Sequence, residues 1–220
     1  MFGDKLVWDS HSTRYAEKIF REMPEDLFLK KTIISVGGIS GTRKSETAFC
    51  LADLLIKRGK EAHIISSDDY YKTRWNDRSA VRIKTNLKDV GPEELDWQRL
   101  LWTFETFKNP LYQQMHFFQM SKYSTAIIQA FIDKARCDIL IFEGLYACDP
   151  RIDADLKVHL GPCDPQETFD FRQQRGKENE VSDLRRQIVE KECAAVKRLK
   201  KHADLVLLPE KPESGEPPAD

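Results

Sequence analysis

The stretch Val36–Thr47, VGGISGTRKSET, narrows the fold of this chain more than any other segment. It continues KTIIS, a β-branched run that reads as a buried strand. It leads into SETAFCLADLLIKRGK, where Ala48, Leu51, Leu54 and Leu55 share one helical face and Gly59 supplies a stop. Strand, glycine-rich turn and helix in that order make an anion site, because backbone N–H groups converge on the turn and the positive end of the helix faces it. The pattern G-x-x-x-x-G-K-[S/T] fits at Gly38, Lys44 and Ser45, with Arg43 where a second glycine is expected. In such a loop Lys44 reaches the β- and γ-phosphates of ATP, Ser45 offers its hydroxyl to Mg²⁺, and Gly38 and Gly41 let phosphates approach the backbone. The expected nucleotide-binding set is Gly38, Ser40, Gly41, Thr42, Arg43, Lys44, Ser45 and Glu46, with ATP and Mg²⁺ as cofactors. The Arg43 side chain must either point away from the phosphates or add a contact to them.

Further strands alternate with helices. AHIISSDD and ADLKVHLG read as short strands, as does ADLVLLPE near the C-terminus. LDWQRLLWTFETF reads as a helix capped by Asp96, and VSDLRRQIVEKECAAVKRLKKH as a long helix capped by Ser182. KYSTAIIQAFIDKARCDILIFEGLYA reads as helix then strand, with Glu143 at the strand's end. RYAEKIFREM spaces Tyr15, Ile19 and Phe20 as one face of a helix that ends before Pro24. This alternation predicts an α/β fold: a five-stranded parallel sheet with helices on both faces, in one domain. The expected divisions are a helical extension over 1–30, the main domain over 31–208 and a disordered, Pro-rich tail over 209–220.

In such a sheet ligands bind beyond the carboxyl ends of the strands, where Lys44, Asp68 and Glu143 all fall. A carboxylate there, Asp68 with Asp69 beside it, is placed to take a proton from a hydroxyl attacking the γ-phosphate. Glu143 is placed to serve Mg²⁺ together with Ser45. Arg172 and Arg175 in FRQQRGKENEVSDLRR are candidates to balance charge on a moving phosphoryl group, whereas Arg185 and Arg186 read as a solvated helix face. Tyr70, Tyr71 and Tyr112 are candidates for substrate contact. Trp97, Trp102, Phe104 and Phe107 follow helical spacing and read as core. His63 and His159 fall inside strands.

Composition removes several alternatives. Lys+Arg number 35 and Asp+Glu 36, a balance that argues against nucleic-acid or membrane partners. No apolar run approaches the roughly 20 residues of a membrane span, and the N-terminus lacks the layout of a signal peptide. The five cysteines form no C-x-x-C pair, as suits a reduced, cytoplasmic protein without disulfides or zinc.

GISGTRKSE, SSDDYYK, GPEELDWQRL, NPLY, LIFEGLYA, FRQQRG and KHADLVL occur in the order found in the uridine kinase and phosphoribulokinase group. From about Lys31 to Leu208 the chain resembles that group of P-loop kinases. The resemblance implies ATP–Mg²⁺ as phosphoryl donor to a small-molecule hydroxyl. It implies Lys44 and Ser45 as the loop lysine and hydroxyl, Asp68 as base, Tyr71 as the tyrosine of the same motif, and Glu143 as the acid of the V-E-G motif. Arg172 and Arg175 resemble the lid arginines. The sequence departs from the family at Arg43, in its short lid, and in NPLYQQMHFFQM, where Gln113 replaces an Asp and His116 stands one position early for a histidine. The expected activity is therefore transfer of the γ-phosphoryl to a nucleoside or another small acceptor, with homo-oligomers left open as partners. The alternatives are a nucleotide-binding regulator without transfer and a hydrolase that spends ATP on a conformational change.

Overall fold

The computed structural model describes residues 6–120, 126–162, 164–174 and 182–209. Its centre is a sheet of five parallel strands: β1 Thr32–Gly37, β2 Ala62–Ser66, β5 Ile139–Gly144, β6 Leu156–Leu160 and β7 Leu205–Leu207, in the order β2-β5-β1-β6-β7. β1 and β5 are buried at every position, as the continuous apolar runs require. The alternation of a strand splits them between two cores. Ile33, Leu140 and Phe142 join a cluster with Phe104, Phe107, Val189 and Cys193 on one face of the sheet. Ile34, Val36, Ile139 and Ile141 join one with Tyr15, Ile19, Leu51 and Leu55 on the other.

Helix α1, Ser10–Glu22, packs on α2, Lys44–Lys57, through Tyr15, Ala16 and Ile19. Helix α3 spans Trp75–Lys84 and was not foreseen from the sequence. Helix α4, Trp97–Lys108, is capped by Asp96, which accepts from Arg99 N at 3.1 Å. Helix α6, Asp183–Leu199, is capped by Ser182, which accepts from Arg185 N at 3.2 Å. A short α5, Phe169–Gln174, precedes it. Among the described residues no helix is long and apolar enough to cross a membrane.

One expected element is overturned. The segment before β5, read as a helix, is strand β4, Ile127–Asp133, paired antiparallel with β3, Gln114–Met120. Ile127, Ile128, Phe131 and Ile132 are β-branched or aromatic, and β3 supplies a partner edge; together these override a weak helical spacing. On β3, Met115 and Phe117 alternate into the core. Residues 122–125 of that expected helix, and 210–220 of the expected disordered tail, lie outside the described residues.

Candidate active site

The nucleotide loop leaves the end of β1 and closes on α2, whose first residue is Lys44. Gly38 lies at its base against the Leu160 carbonyl. Gly41 has φ 89°, and a Cβ there would sit 2.8 Å from both Arg172 Cγ and the Thr168 carbonyl oxygen, so only glycine fits. Thr42 Oγ1 donates to the Ile39 carbonyl at 3.0 Å. Lys44 Nζ donates to the same carbonyl at 2.8 Å. Glu46 is buried and accepts from Val7 N at 3.2 Å, so it ties the N-terminal segment to the loop and does not face the cleft.

Arg43 takes the backbone shape that glycine would take. Its φ and ψ are 63° and 27°, in the left-handed region. An L-residue there costs on the order of 1–2 kcal/mol. The side chain leaves the phosphate side entirely. Its Nε donates to Asp9 Oδ2, and its guanidinium lies over the Phe171 ring at 4.1 Å. Asp9 also caps α1, accepting from Ser12 N at 3.0 Å. Partial burial would raise the Asp9 carboxyl, but the Ser12 N–H and Arg43 outweigh it and hold it below its ordinary value. Of the two outcomes open to Arg43, the first holds.

Asp68 sits in a single 3₁₀ turn, Ser67–Tyr70, directly after β2, and its N–H is capped by Ser66 Oγ at 3.3 Å. Glu143 lies on β5, between β2 and β1, in register with Ser66 on one side and Val36 on the other. Strand order therefore brings the carboxylates of two separate motifs beside the loop. Gly144 makes this possible: a Cβ there would fall 1.9 Å from Ser67 Oγ. Asp69 points away and accepts from Met120 N at 2.8 Å, hooking the β3–β4 hairpin to the turn. Burial pushes the Asp69 carboxyl up to about 6, with the negative charges of Asp68 and Glu143 adding to it.

Loop and turn open into one cleft of about 510 Å³ beyond the strand ends. Ser40, Gly41, Lys44, Ser45, Asp68, Tyr71 and Glu143 line it. Other expected contacts lie elsewhere. Tyr70 is fully buried, its hydroxyl 2.9 Å from Thr103 Oγ1. Tyr112 is in an exposed turn after α4. His116 stacks on Trp102 at 4.9 Å between ring centroids, on the hairpin. Arg172 is buried beside the loop, its Nη1 donating to the Pro165 carbonyl at 2.7 Å and Thr168 Oγ1 at 2.6 Å. Arg175 lies outside the described residues. Phe104 and Phe107 are core as expected, while Trp97 and Trp102 are half-buried.

The sequence reading missed the cleft's far wall. Arg78 and Arg82 reach it from α3, and Arg185, Ile188 and Glu192 from α6. Arg82 is held by Glu94 through Nε and Nη2, at 2.6 and 2.8 Å, and by Glu192 at 2.9 Å. The readable signal was Trp75, Arg78 and Arg82 at helical spacing directly after the acid turn.

A comparison with curated protein sequences finds no match. Solved structures do resemble the fold. A Silicibacter sp. TM1040 protein provisionally described as a fructose transport system kinase is 14% identical, with a TM-score of 0.62 over 90% of this chain and 99% of its own. Phosphoribulokinase from Rhodobacter spheroides is 15% identical, with a TM-score of 0.61 over 82% and 71%. D-glycerate 3-kinase from Cryptococcus neoformans var. grubii is 15% identical, with a TM-score of 0.51 over 84% and 85%. At these identities the likeness is one of fold. The model of the phosphoribulokinase / uridine kinase family matches residues 33–206, which span the loop, Asp68, Glu143 and all five strands of the parallel sheet except the first residue of β1 and the last of β7. The chain belongs to the phosphoribulokinase / uridine kinase family.

Proposed function

We propose that this protein is an ATP-dependent small-molecule kinase in which Asp68 takes the proton of the acceptor hydroxyl. The observation that carries the reading is the meeting of Asp68 and Glu143, from different strands, with Lys44 and Ser45 in one cleft. A protein that only bound Mg²⁺–nucleotide would use Glu143 for the cation but would have no use for a second carboxylate, Asp68, beside the phosphate loop. The residues present suit Mg²⁺–ATP, which supplies the phosphoryl group. Lys44 lies at the start of α2 as a phosphate-loop lysine does, and Ser45 and Glu143 are oxygen donors in the same cleft. Among the described residues no cluster of three His, Cys, Asp or Glu side chains could hold a metal alone. That fits a cation which keeps waters and phosphate oxygens as most of its ligands.

In this reading Lys44 exchanges the Ile39 carbonyl for phosphate oxygens and stabilises their charge. Asp68 orients the hydroxyl and accepts its proton. Arg172, locked to Thr168 and packed on Gly41, holds the loop's outer side. The test is ADP release from Mg²⁺–ATP with a panel of nucleosides, sugar phosphates and hydroxy acids. Asp68→Asn is expected to lower kcat by about 10²–10⁴-fold with ATP affinity retained. Full activity in Asp68→Asn would sink the assignment of the base. ATP binding without any acceptor-dependent ADP release would favour a nucleotide-binding regulator instead.

A further inference from the structure

Arg78 is 7% exposed, yet among the described residues its Nε and Nη2 have no hydrogen-bond partner. It lines the cleft. Its Cζ lies over the Tyr71 ring, 3.4 Å from the centroid, with the Trp75 ring centroid at 5.2 Å. Among the described residues its carboxylate neighbour is Asp68, with Nη1 to Oδ1 at the long distance of 4.0 Å. One turn along the same helix, Arg82 shows what the same edge does when filled: its Nε and Nη2 grip both oxygens of Glu94. Nε and Nη2 together form the side-on fork that matches a carboxylate or phosphate. A buried guanidinium with that fork empty carries a desolvation cost that an anion would offset.

From this we propose that the phosphoryl acceptor carries an anionic group, a carboxylate or a phosphate monoester, and that the Nε–Nη2 edge of Arg78 binds it. The inference rests on the kinase reading above and narrows its substrate class. Arg78 and Asp68 stand side by side, so the anion and the reacting hydroxyl belong to one compact molecule: a hydroxy acid or a sugar phosphate. A neutral nucleoside offers the fork carbonyl and hydroxyl acceptors but no negative charge to balance the guanidinium. Tyr71 and Trp75 act as a rigid backing for the guanidinium. Arg82, already neutralised by Glu94 and Glu192, buttresses the wall and leaves the anion to Arg78.

Two measurements test this on the full chain. The first is acceptor-dependent ADP release with D-glycerate, ribulose 5-phosphate and uridine. Turnover is expected with one of the two anionic acceptors and not with uridine. Arg78→Lys, which keeps the charge and loses the fork, is expected to raise that acceptor's KM about ten-fold or more while the KM for ATP holds. The second is independent of turnover: calorimetric titration of D-glycerate and of ribulose 5-phosphate into protein saturated with Mg²⁺ and a non-hydrolysable ATP analogue, which occupies the phosphate loop. Binding of one of them is expected, weakened about ten-fold or more in Arg78→Lys and abolished in Arg78→Met. A variant whose melting curve matches wild type but whose anion affinity is unchanged overturns the proposal. So does turnover of uridine with a KM indifferent to Arg78→Lys, which would leave the kinase reading standing. Arg78-dependent anion binding without any acceptor turnover sustains the anion seat and defeats the kinase reading.

Discussion

Replacing Asp9 and Arg43 one at a time separates the cost of a left-handed arginine from the contacts that hold it. Asp9→Ala removes the α1 cap at Ser12, worth about 1 kcal/mol. It also removes an ion pair whose side chains are 24% and 25% exposed, worth about 1 kcal/mol after solvent screening. Arg43 then stays in its left-handed conformation with only the Phe171 ring beneath it. The expected loss is about 2 kcal/mol, which for a chain of this size lowers Tm by about 4–8 °C. Arg43→Gly loses the same pair and the stacking on Phe171, together about 2 kcal/mol. It regains about 1–2 kcal/mol of backbone strain. The variant should therefore unfold within about 1 kcal/mol of wild type, although it removes the larger side chain. Urea unfolding at neutral pH measures both numbers, and calorimetry measures ATP affinity beside them. ATP affinity of Arg43→Gly is expected to change less than about three-fold, since the guanidinium faces Asp9 and not the cleft. Two results would refute this reasoning: an Arg43→Gly loss as large as that of Asp9→Ala, or a ten-fold or larger drop in its ATP affinity.

Two buried groups set opposing pH dependences. Asp69, pushed up to about 6 from 3.8, favours the fold at low pH and loses that contribution as pH rises from about 4 to 6. His159, buried in β6 near Lys200 and Lys44 and pulled down to about 4 from 6.5, favours the fold at neutral pH and loses its contribution as pH falls through the same window. Each shift is worth on the order of 3 kcal/mol, so in wild type they largely cancel. Asp69→Asn should be more stable than wild type at pH 7.5 and lose stability more steeply towards pH 4; parallel stability curves from urea titrations would contradict the account. Gly144→Ala drives a methyl group into Ser67, one residue before Asp68. It should cost about 2–3 kcal/mol and lower kcat together with Tm, whereas a melting point within 2 °C or so of wild type would show that the turn can yield.

The parallel sheet was legible because its central strands β1 and β5 are buried on both faces and read as unbroken apolar runs between helical segments. The loop, Asp68 and Glu143 were legible because chemistry at a strand's carboxyl end is written in adjacent residues. The hairpin was not. Its strands satisfy each other, and the pattern of β4 is too weak to exclude a helix without sight of β3. Tyr70 was misplaced for a similar reason: the 3₁₀ turn sends successive side chains in different directions, Asp68 to the cleft and Tyr70 to Thr103. Arg78 went unread because one sequence shows a basic helix, while only the fold shows which of its arginines is already paired.

The link between Asp9 and Arg43 also constrains how such a loop could have arisen. With glycine at position 43, an acid at position 9 still has work as the cap of α1, so that intermediate is harmless. With arginine at 43 and no acid at 9, the side chain is strained and has lost its ion pair. An order in which the acid precedes the arginine avoids a strained, unpaired intermediate. Once both were present, reverting the acid alone became the costly step. A mismatch to the loop pattern is in this sense a ratchet, and related chains with Arg at this position should carry an acidic residue ahead of the first helix.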